Sequence, residues 1–401
     1  MSEGTRDVIV IGGGPAGSCA ANLLARAGVD TLVLEREVFP RFHIGESLLP
    51  VELPIVARLG VDLDAGPYLR KCGAIFIDER SGRQTHFSFD EGLPGTPEYA
   101  HQVERAKFDQ ALLQAARRAG AEVREGWEVT GFELGEDQVA VEAVERARGE
   151  STRLRARYLV DASGQRALLA RAQKTVEPYR EFGRAAVFRH FKGLAPAIVT
   201  ELHERGDIVI KVVQDGWMWL IPLASGELSV GLVKAKGKID AASLEHEIEQ
   251  SPLIQRLTVG ATASEPQLIG NYSYRNTRSY GRRFACIGDA SAFLDPVFSS
   301  GVSLALAGGE RLADLLAPAI AERREHDPAL MVPLGEHMNT AYEAFSRFIQ
   351  RFYHTKLIDN VLLAEHHPNQ VFRSGVISLL AADVWRDDNP FQNMLMSARR
   401  V

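Results

Sequence analysis

Residues 12–17, Gly12-Gly13-Gly14-Pro15-Ala16-Gly17, have the spacing with which a strand turns directly into a helix around a bound pyrophosphate. Gly12 permits the tight turn, Gly14 lets the backbone approach the phosphates, and Gly17 lets the helix pack close to the strand. The helix start offers unpaired N–H groups and a positive dipole end, and Pro15 beside Ala16 in the first turn sacrifices no hydrogen bond there. Glu35 lies about the right distance on to accept from a ribose 2′-OH, with Arg36 next to it among the nucleotide contacts, which favours an unphosphorylated adenosine ribose. This fingerprint serves FAD and NAD equally.

Two other segments have chemical potential. Trp217 and Trp219 stand two apart, so on a strand both indoles face the same side and Met218 the other. They are two of the four tryptophans in the chain. Ser299-Ser300-Gly301 reads as a turn into a helix start, where backbone N–H groups suit an anion or a simple N-cap.

The elements that must position these residues can be read around them. Residues 7–11 (DVIVI) form a continuous β-branched run, expected as a buried parallel strand. A helix over 18–27 ends at Gly28, and a second strand over 31–34 runs into Glu35. Further strands over 158–160 and 284–287 lead into Asp161 and Gly288-Asp289. Alternating runs over 185–191, 208–213 and 228–233 predict a second, antiparallel sheet that carries the tryptophans. Residues 91–99 (EGLPGTPEY) are expected as a loop near a substrate entrance, and the pattern from about residue 333 is helical, notably over 334–355.

Bulk properties narrow the class. The chain has 401 residues, 45% hydrophobic and 24% charged, with a formal charge of −6, which does not suit a nucleic-acid surface. Three scattered cysteines form neither a disulfide framework nor a metal motif, and the histidines, including adjacent His366 and His367, show no metal-ligand spacing. No secretory signal and no membrane-spanning run is expected, and the default compartment is the cytoplasm.

Longer segments match a known family. Residues 283–301 (RFACIGDASAFLDPVFSSG) resemble the GD box of flavoprotein monooxygenases, in which the Asp, here Asp289 after Gly288, contacts the flavin ribityl chain. Asp161-Ala162-Ser163-Gly164 resembles that group's DxSG turn near the nucleotide. Gln102 to Asp109 resembles its R-x-x-F-D helix start, which places Arg105 beside the flavin. Within this group the chain resembles the flavin-dependent halogenases. Trp217 to Pro222 fits W-x-W-x-I-P, and Gly45-Glu46-Ser47-Leu48-Leu49-Pro50 resembles the family's flavin-covering loop. Lys71 to Phe76 resembles its K-x-G-A-x-F segment, and residues 293–301 resemble its halide turn. The resemblance runs from residue 7 to about residue 310 and on through 385–391 (WRDDNPF).

The resemblance implies an α/β fold: a Rossmann-like FAD-binding domain of the monooxygenase type, an inserted antiparallel-sheet substrate domain and a short helical C-terminal region. The expected boundaries are 1–171 with 276–330 for FAD, 172–275 for the substrate sheet with help from 72–100, and 331–401 for the helices. It implies FAD used as FADH2 from a separate flavin reductase, with O2 and chloride or bromide giving hypohalous acid. Trp217 and Trp219 then partition the flavin from the substrate. Lys71 either donates a hydrogen bond to hypohalous acid or, as a neutral amine, forms a haloamine. Ser300 and Gly301 hold the halide through their amides, and Pro296, Gly301 and Val302 lie against the flavin with Ser47. Glu46 either bonds within the flavin loop or caps a turn.

One departure bears on the substrate. Tryptophan halogenases carry a Glu just before this Ser-Ser-Gly turn, where this chain has Phe298. That places it nearer the halogenases of phenols and pyrroles, either free or held on an acyl- or peptidyl-carrier protein, in natural-product (antibiotic) biosynthesis. The rival readings are a flavoprotein hydroxylase or reductase of a polyketide or isoprenoid, and a decayed flavoprotein kept as a binding partner.

Overall fold

The computed structural model describes residues 4–179, 185–234, 238–270, 273–364 and 369–398, so His366 and His367 lie outside the described residues. Five strands form the parallel centre of the first sheet, in the order Phe284–Cys286, Glu150–Asp161, Arg6–Ile11, Thr31–Glu35 and Glu122–Glu125. The antiparallel strands Trp127–Leu134 and Val139–Glu145 fold back onto Glu150–Asp161. The continuous apolar run expected of a central strand has its reason here. Val8 and Val10 enter one buried cluster, while Ile9 and Ile11 enter another on the opposite face.

The nucleotide-type helix runs Pro15–Arg26, starting three residues before the expected position because Gly14 serves as its N-cap. Gly28 follows it at φ +80°, a conformation that stops the helix without strain.

The second sheet is ordered Thr262–Ala263, Ala185–Lys192, Leu228–Lys234, Gly216–Pro222, Ile208–Val213, Gly73–Asp78 and Arg83–Ser88. It is antiparallel except at one junction, where Ile208–Val213 pairs in parallel with Gly73–Asp78. A hairpin imposes antiparallel pairing, but these two strands are joined through most of the first sheet, so no turn constrains their direction. Residues 73–88 are therefore integral to this sheet.

The long helices Ser300–Ala321 and Val332–His354 follow. Leu334, Met338, Ala341, Phe345, Phe348 and Phe352 form the buried stripe of the second, at helical spacing. The 385–391 segment is pinned to this helix: Trp385 stacks on His337 at 4.6 Å and donates to its carbonyl oxygen at 2.9 Å. The 91–99 loop does not border the large cavity. It is held against the helix Gln370–Leu380 and the turn after it, with Leu93 N–H donating to Ser378 Oγ and Thr96 Oγ1 to Asp383. Among the described residues no helix is long and apolar enough to cross a membrane.

Candidate functional site

A cavity of about 1500 Å³ opens between the two sheets, and the glycine turn forms one end of it. Gly12 sits at φ +100°, and a Cβ there would lie 2.3 Å from Ala162 O. A Cβ on Gly17 would lie 2.0 Å from Gly12 O, so both positions exclude any side chain. Gly12, Gly14, Pro15 and Ala16 line the cavity, whereas Gly17 acts from behind by letting the helix close on the strand. No side chain caps the helix at Gly14, which leaves its first N–H groups for an anion.

Glu35 ends its strand on the cavity wall, with Arg36 beside it. Its Oε2 accepts from Gly13 N–H at 2.6 Å and its Oε1 from Glu37 N–H at 2.8 Å. The carboxylate thus shapes the glycine turn and keeps acceptor capacity for a ribose hydroxyl. Of the Asp161-Ala162-Ser163-Gly164 turn, Asp161 itself does not line the cavity. It is buried behind the wall, and its oxygens accept from Ser163 N–H at 3.0 Å and Leu169 N–H at 2.8 Å. Ala162, Ser163 and Gly164 of its turn face the cavity instead.

Gly288 and Asp289 also line the cavity. Burial pushes the Asp289 carboxyl up to about 7, against the pull of the Arg105 charge. Arg105 opens the helix Arg105–Arg118 and grips Asp109 with two nitrogens, at 2.7 and 3.0 Å. Its remaining arm donates to Ile44 O at 2.8 Å and so anchors the 45–50 loop. Glu46 in that loop caps nothing; it meets His190 Nε2 at 2.7 Å across 144 residues of sequence. Glu46 Oε2 and Ser47 Oγ are buried with no hydrogen-bond partner among the described residues, although both residues border the cavity. Buried polar atoms without partners, an uncapped helix start and a glycine cradle fit a dinucleotide.

Trp217 and Trp219 lie on the strand Gly216–Pro222 with both rings on the cavity side, 5.9 Å apart and inclined at 47°. Met218 and Leu220 enter the separate cluster on the other face, as the alternation predicts. Trp217 Nε1 donates to Tyr353 Oη, and Trp219 Nε1 to Ser229 Oγ at 3.2 Å.

Opposite them, Pro296, Ser299, Ser300, Gly301 and Val302 border the cavity. Ser299 takes a left-handed conformation at φ 56°, which turns the chain sharply into the helix Ser300–Ala321 with no side-chain cap. Phe298 points away and stacks on Phe348, 3.8 Å between centroids and nearly parallel.

Lys71 does not border this cavity. It is 1% exposed and lies behind the 45–50 loop, where Nζ donates to Leu48 O at 2.9 Å and faces the Phe89 ring. Burial lowers its pKa to about 7. Arg41, Phe42, His190, Tyr353 and Glu52 escaped the sequence reading. No motif contains them, and an acid in the first turn of a helix, as Glu52 is, reads as a dipole partner.

The family model described as tryptophan halogenase matches residues 7–97 and 81–362. The chain belongs to the flavin-dependent halogenases. A tryptophan 2-halogenase of Chondromyces crocatus is 36% identical over 75% of this chain and 58% of its own length. A 1H-pyrrole-2-carbonyl-(peptidyl-carrier protein) chlorinase of Pseudomonas fluorescens is 29% identical over 96% of this chain and 91% of its own. Among solved structures, a flavoprotein/dehydrogenase from Cytophaga hutchinsonii superposes with a TM-score of 0.88 at 27% identity, covering 97% of this chain and 96% of that one. The flavin-dependent brominase Bmp2 superposes at 0.83 and 26%, covering 98% of each. As a flavin-dependent halogenase the chain uses FAD and halide.

Proposed function

We propose that this enzyme halogenates an electron-rich phenolic or pyrrolic ring, free or held on a carrier protein, in cytoplasmic natural-product biosynthesis. A separate reductase supplies the reduced flavin. The observation that carries this reading is the position of Lys71: buried, bonded to Leu48 O, and on the far side of the 45–50 loop from the cavity. Reduced flavin held there would, with O2, supply the oxidising power that turns halide into hypohalous acid.

The chain's own residues have distinct tasks in this scheme. The α-helical N–H groups after Gly14 and the Glu35 carboxylate hold the nucleotide, while Arg105, Glu46, Ser47, Gly288 and Asp289 hold the ribityl and ring end. The amides of Ser300 and Gly301 present halide, close to Pro296 and Val302. Trp217 and Trp219 exclude substrate and bulk water from the flavin face. Lys71 orients the halogenating species toward the ring, either through an N–H bond or through its free amine.

Phe298 supports a ring activated by its own heteroatom, because no carboxylate stands at that position to take a ring proton. In this reading residues 1–171 and 276–330 form the FAD unit, 172–275 with 73–88 the substrate sheet, and 331–401 the helical cover.

The test supplies purified protein with flavin reductase, FAD, NADH, bromide and resorcinol, with methionine present to scavenge hypobromous acid that escapes. Wild type yields bromoresorcinol, whereas Lys71→Ala oxidises reduced FAD without making it. A fully active Lys71→Ala protein removes the role given to the lysine, and direct NADPH-driven hydroxylation by the pure protein overturns the halogenase assignment.

A further inference from the structure

Glu52 opens the helix Glu52–Arg58 immediately after the 45–50 loop and is completely buried. Its Oε1 accepts from Ser303 Oγ at 2.5 Å and from Leu49 N–H at 3.1 Å. Its Oε2 has no hydrogen-bond partner among the described residues, a costly arrangement in a core. Ser303 lies one turn into the helix whose first residues, Ser300 and Gly301, border the flavin cavity.

Lys71 holds Leu48 O, and Glu52 holds Leu49 N–H. These are the two polar groups of a single peptide bond. A buried base and a buried acid thus grip opposite edges of one peptide plane, just beyond the Ser47 end of the flavin loop. A carboxylate on the N–H makes the carbonyl of the same peptide a stronger acceptor, so the bond from Lys71 depends on the state of Glu52.

We propose that Glu52 is a positioning residue for Lys71, which through the Leu48–Leu49 peptide and through its charge sets the orientation and protonation of Nζ. This rests on the reading of Lys71 as the residue that acts on hypohalous acid. The charged groups around the pair are few. Lys71 feels Glu52 and Asp207, and Asp207 is itself engaged by Arg205 at 3.0 Å and His86 at 2.9 Å. Glu52 feels Lys71 and Arg105. Burial pushes the Glu52 carboxyl up to about 7 and the Lys71 amine down to about 7, and each charge relieves the cost of the other.

Glu52→Gln keeps the side-chain shape and still accepts from Leu49 and Ser303, but it removes the negative charge. Lys71 then loses its proton at lower pH. The pH limb of bromination that titrates with Lys71 therefore moves toward acid by about one unit, whether the ammonium or the free amine is the working form. Ser303→Ala removes a bond that favours the Glu52 carboxylate, and it moves the same limb in the same direction by less. Glu52→Asp restores the wild-type limb.

The assay is the resorcinol bromination described above, run from pH 5.5 to 9.5. A Glu52→Gln profile that is lower at every pH but unmoved along the pH axis overturns the proposal, since that is what a merely structural role produces. If Glu52→Gln does not fold, an unmoved limb in Ser303→Ala overturns it. Lys71→Met separates the two readings. Retained bromination in Lys71→Met defeats the lysine assignment itself, whereas loss of bromination together with an unmoved Glu52→Gln limb defeats only this inference.

Discussion

Trp217 Nε1–H donates to the Tyr353 hydroxyl at 2.8 Å, and that hydroxyl donates onward to Asp295 Oδ2 at 3.0 Å. One side chain of the Val332–His354 helix thereby ties the indole wall to the turn that leads into Ser300. Asp295 Oδ1 meanwhile accepts from Val297 N–H at 3.0 Å and shapes that turn. The indole wall and the turn over 295–299 are held in register by a residue from the C-terminal helices.

Tyr353→Phe removes a bond from Trp217 and another from Asp295 without emptying the site. We expect a loss of about 1–3 kcal/mol, read from urea denaturation. The fraction of reduced flavin oxidation that yields brominated product should fall as well. An unchanged midpoint and unchanged coupling show the tie to be idle.

Phe298→Glu tests whether the tryptophan-type carboxylate can simply be installed. The ring is 3% exposed and stacked on Phe348, so a carboxylate there is desolvated without a partner. A loss of about 3 kcal/mol or more is expected in thermal or chemical denaturation, with no gain of tryptophan halogenation. A stable, tryptophan-active variant contradicts the packing described for this residue.

Glu35→Ala deletes the acceptor for Gly13 and Glu37 and the carboxylate proposed to meet the ribose. Losing charge-assisted bonds of this kind costs about 1.5–3 kcal/mol, which corresponds to about ten- to hundredfold weaker FAD binding. Titration of flavin fluorescence measures it, and affinity within twofold of wild type removes Glu35 from the site.

Lys71 gives stability a pH dependence of known sign. Its folded pKa, about 7, lies below the value of 10.5 expected when exposed. Between those values the unfolded chain binds the extra proton, so the cost of burying this group shrinks as pH rises from 7 toward 10.5. Glu52, raised to about 7 from 4.5, contributes in the opposite sense, with stability lost as pH rises from 4.5 toward 7. Lys71→Met removes the buried amine but also the counter-charge of Glu52, so its melting temperature relative to wild type should fall between pH 7 and pH 10, as the wild-type amine sheds its proton and the unpaired Glu52 must ionise. A gap that stays constant across that range contradicts the burial of a titrating amine.

What this sequence determined by itself is local backbone geometry. Gly12 at positive φ, Gly17 against Gly12 O and the alternation of Trp217, Met218 and Trp219 are requirements met within a few neighbouring residues. Residue type and spacing therefore record them, and the family likeness is written in those same segments. Tertiary structure alone decided which polar groups are buried and what they meet. Glu46 finds His190 across 144 residues, Trp217 finds Tyr353 across 136, and Asp161 gives its carboxylate to the N–H groups of Ser163 and Leu169. Lys71, at the end of the short strand Leu69–Lys71, is buried with Nζ between Leu48 O and the Phe89 ring. Desolvation and long-range pairing depend on how distant segments pack, and that packing gives a lysine and a glutamate the two edges of one peptide.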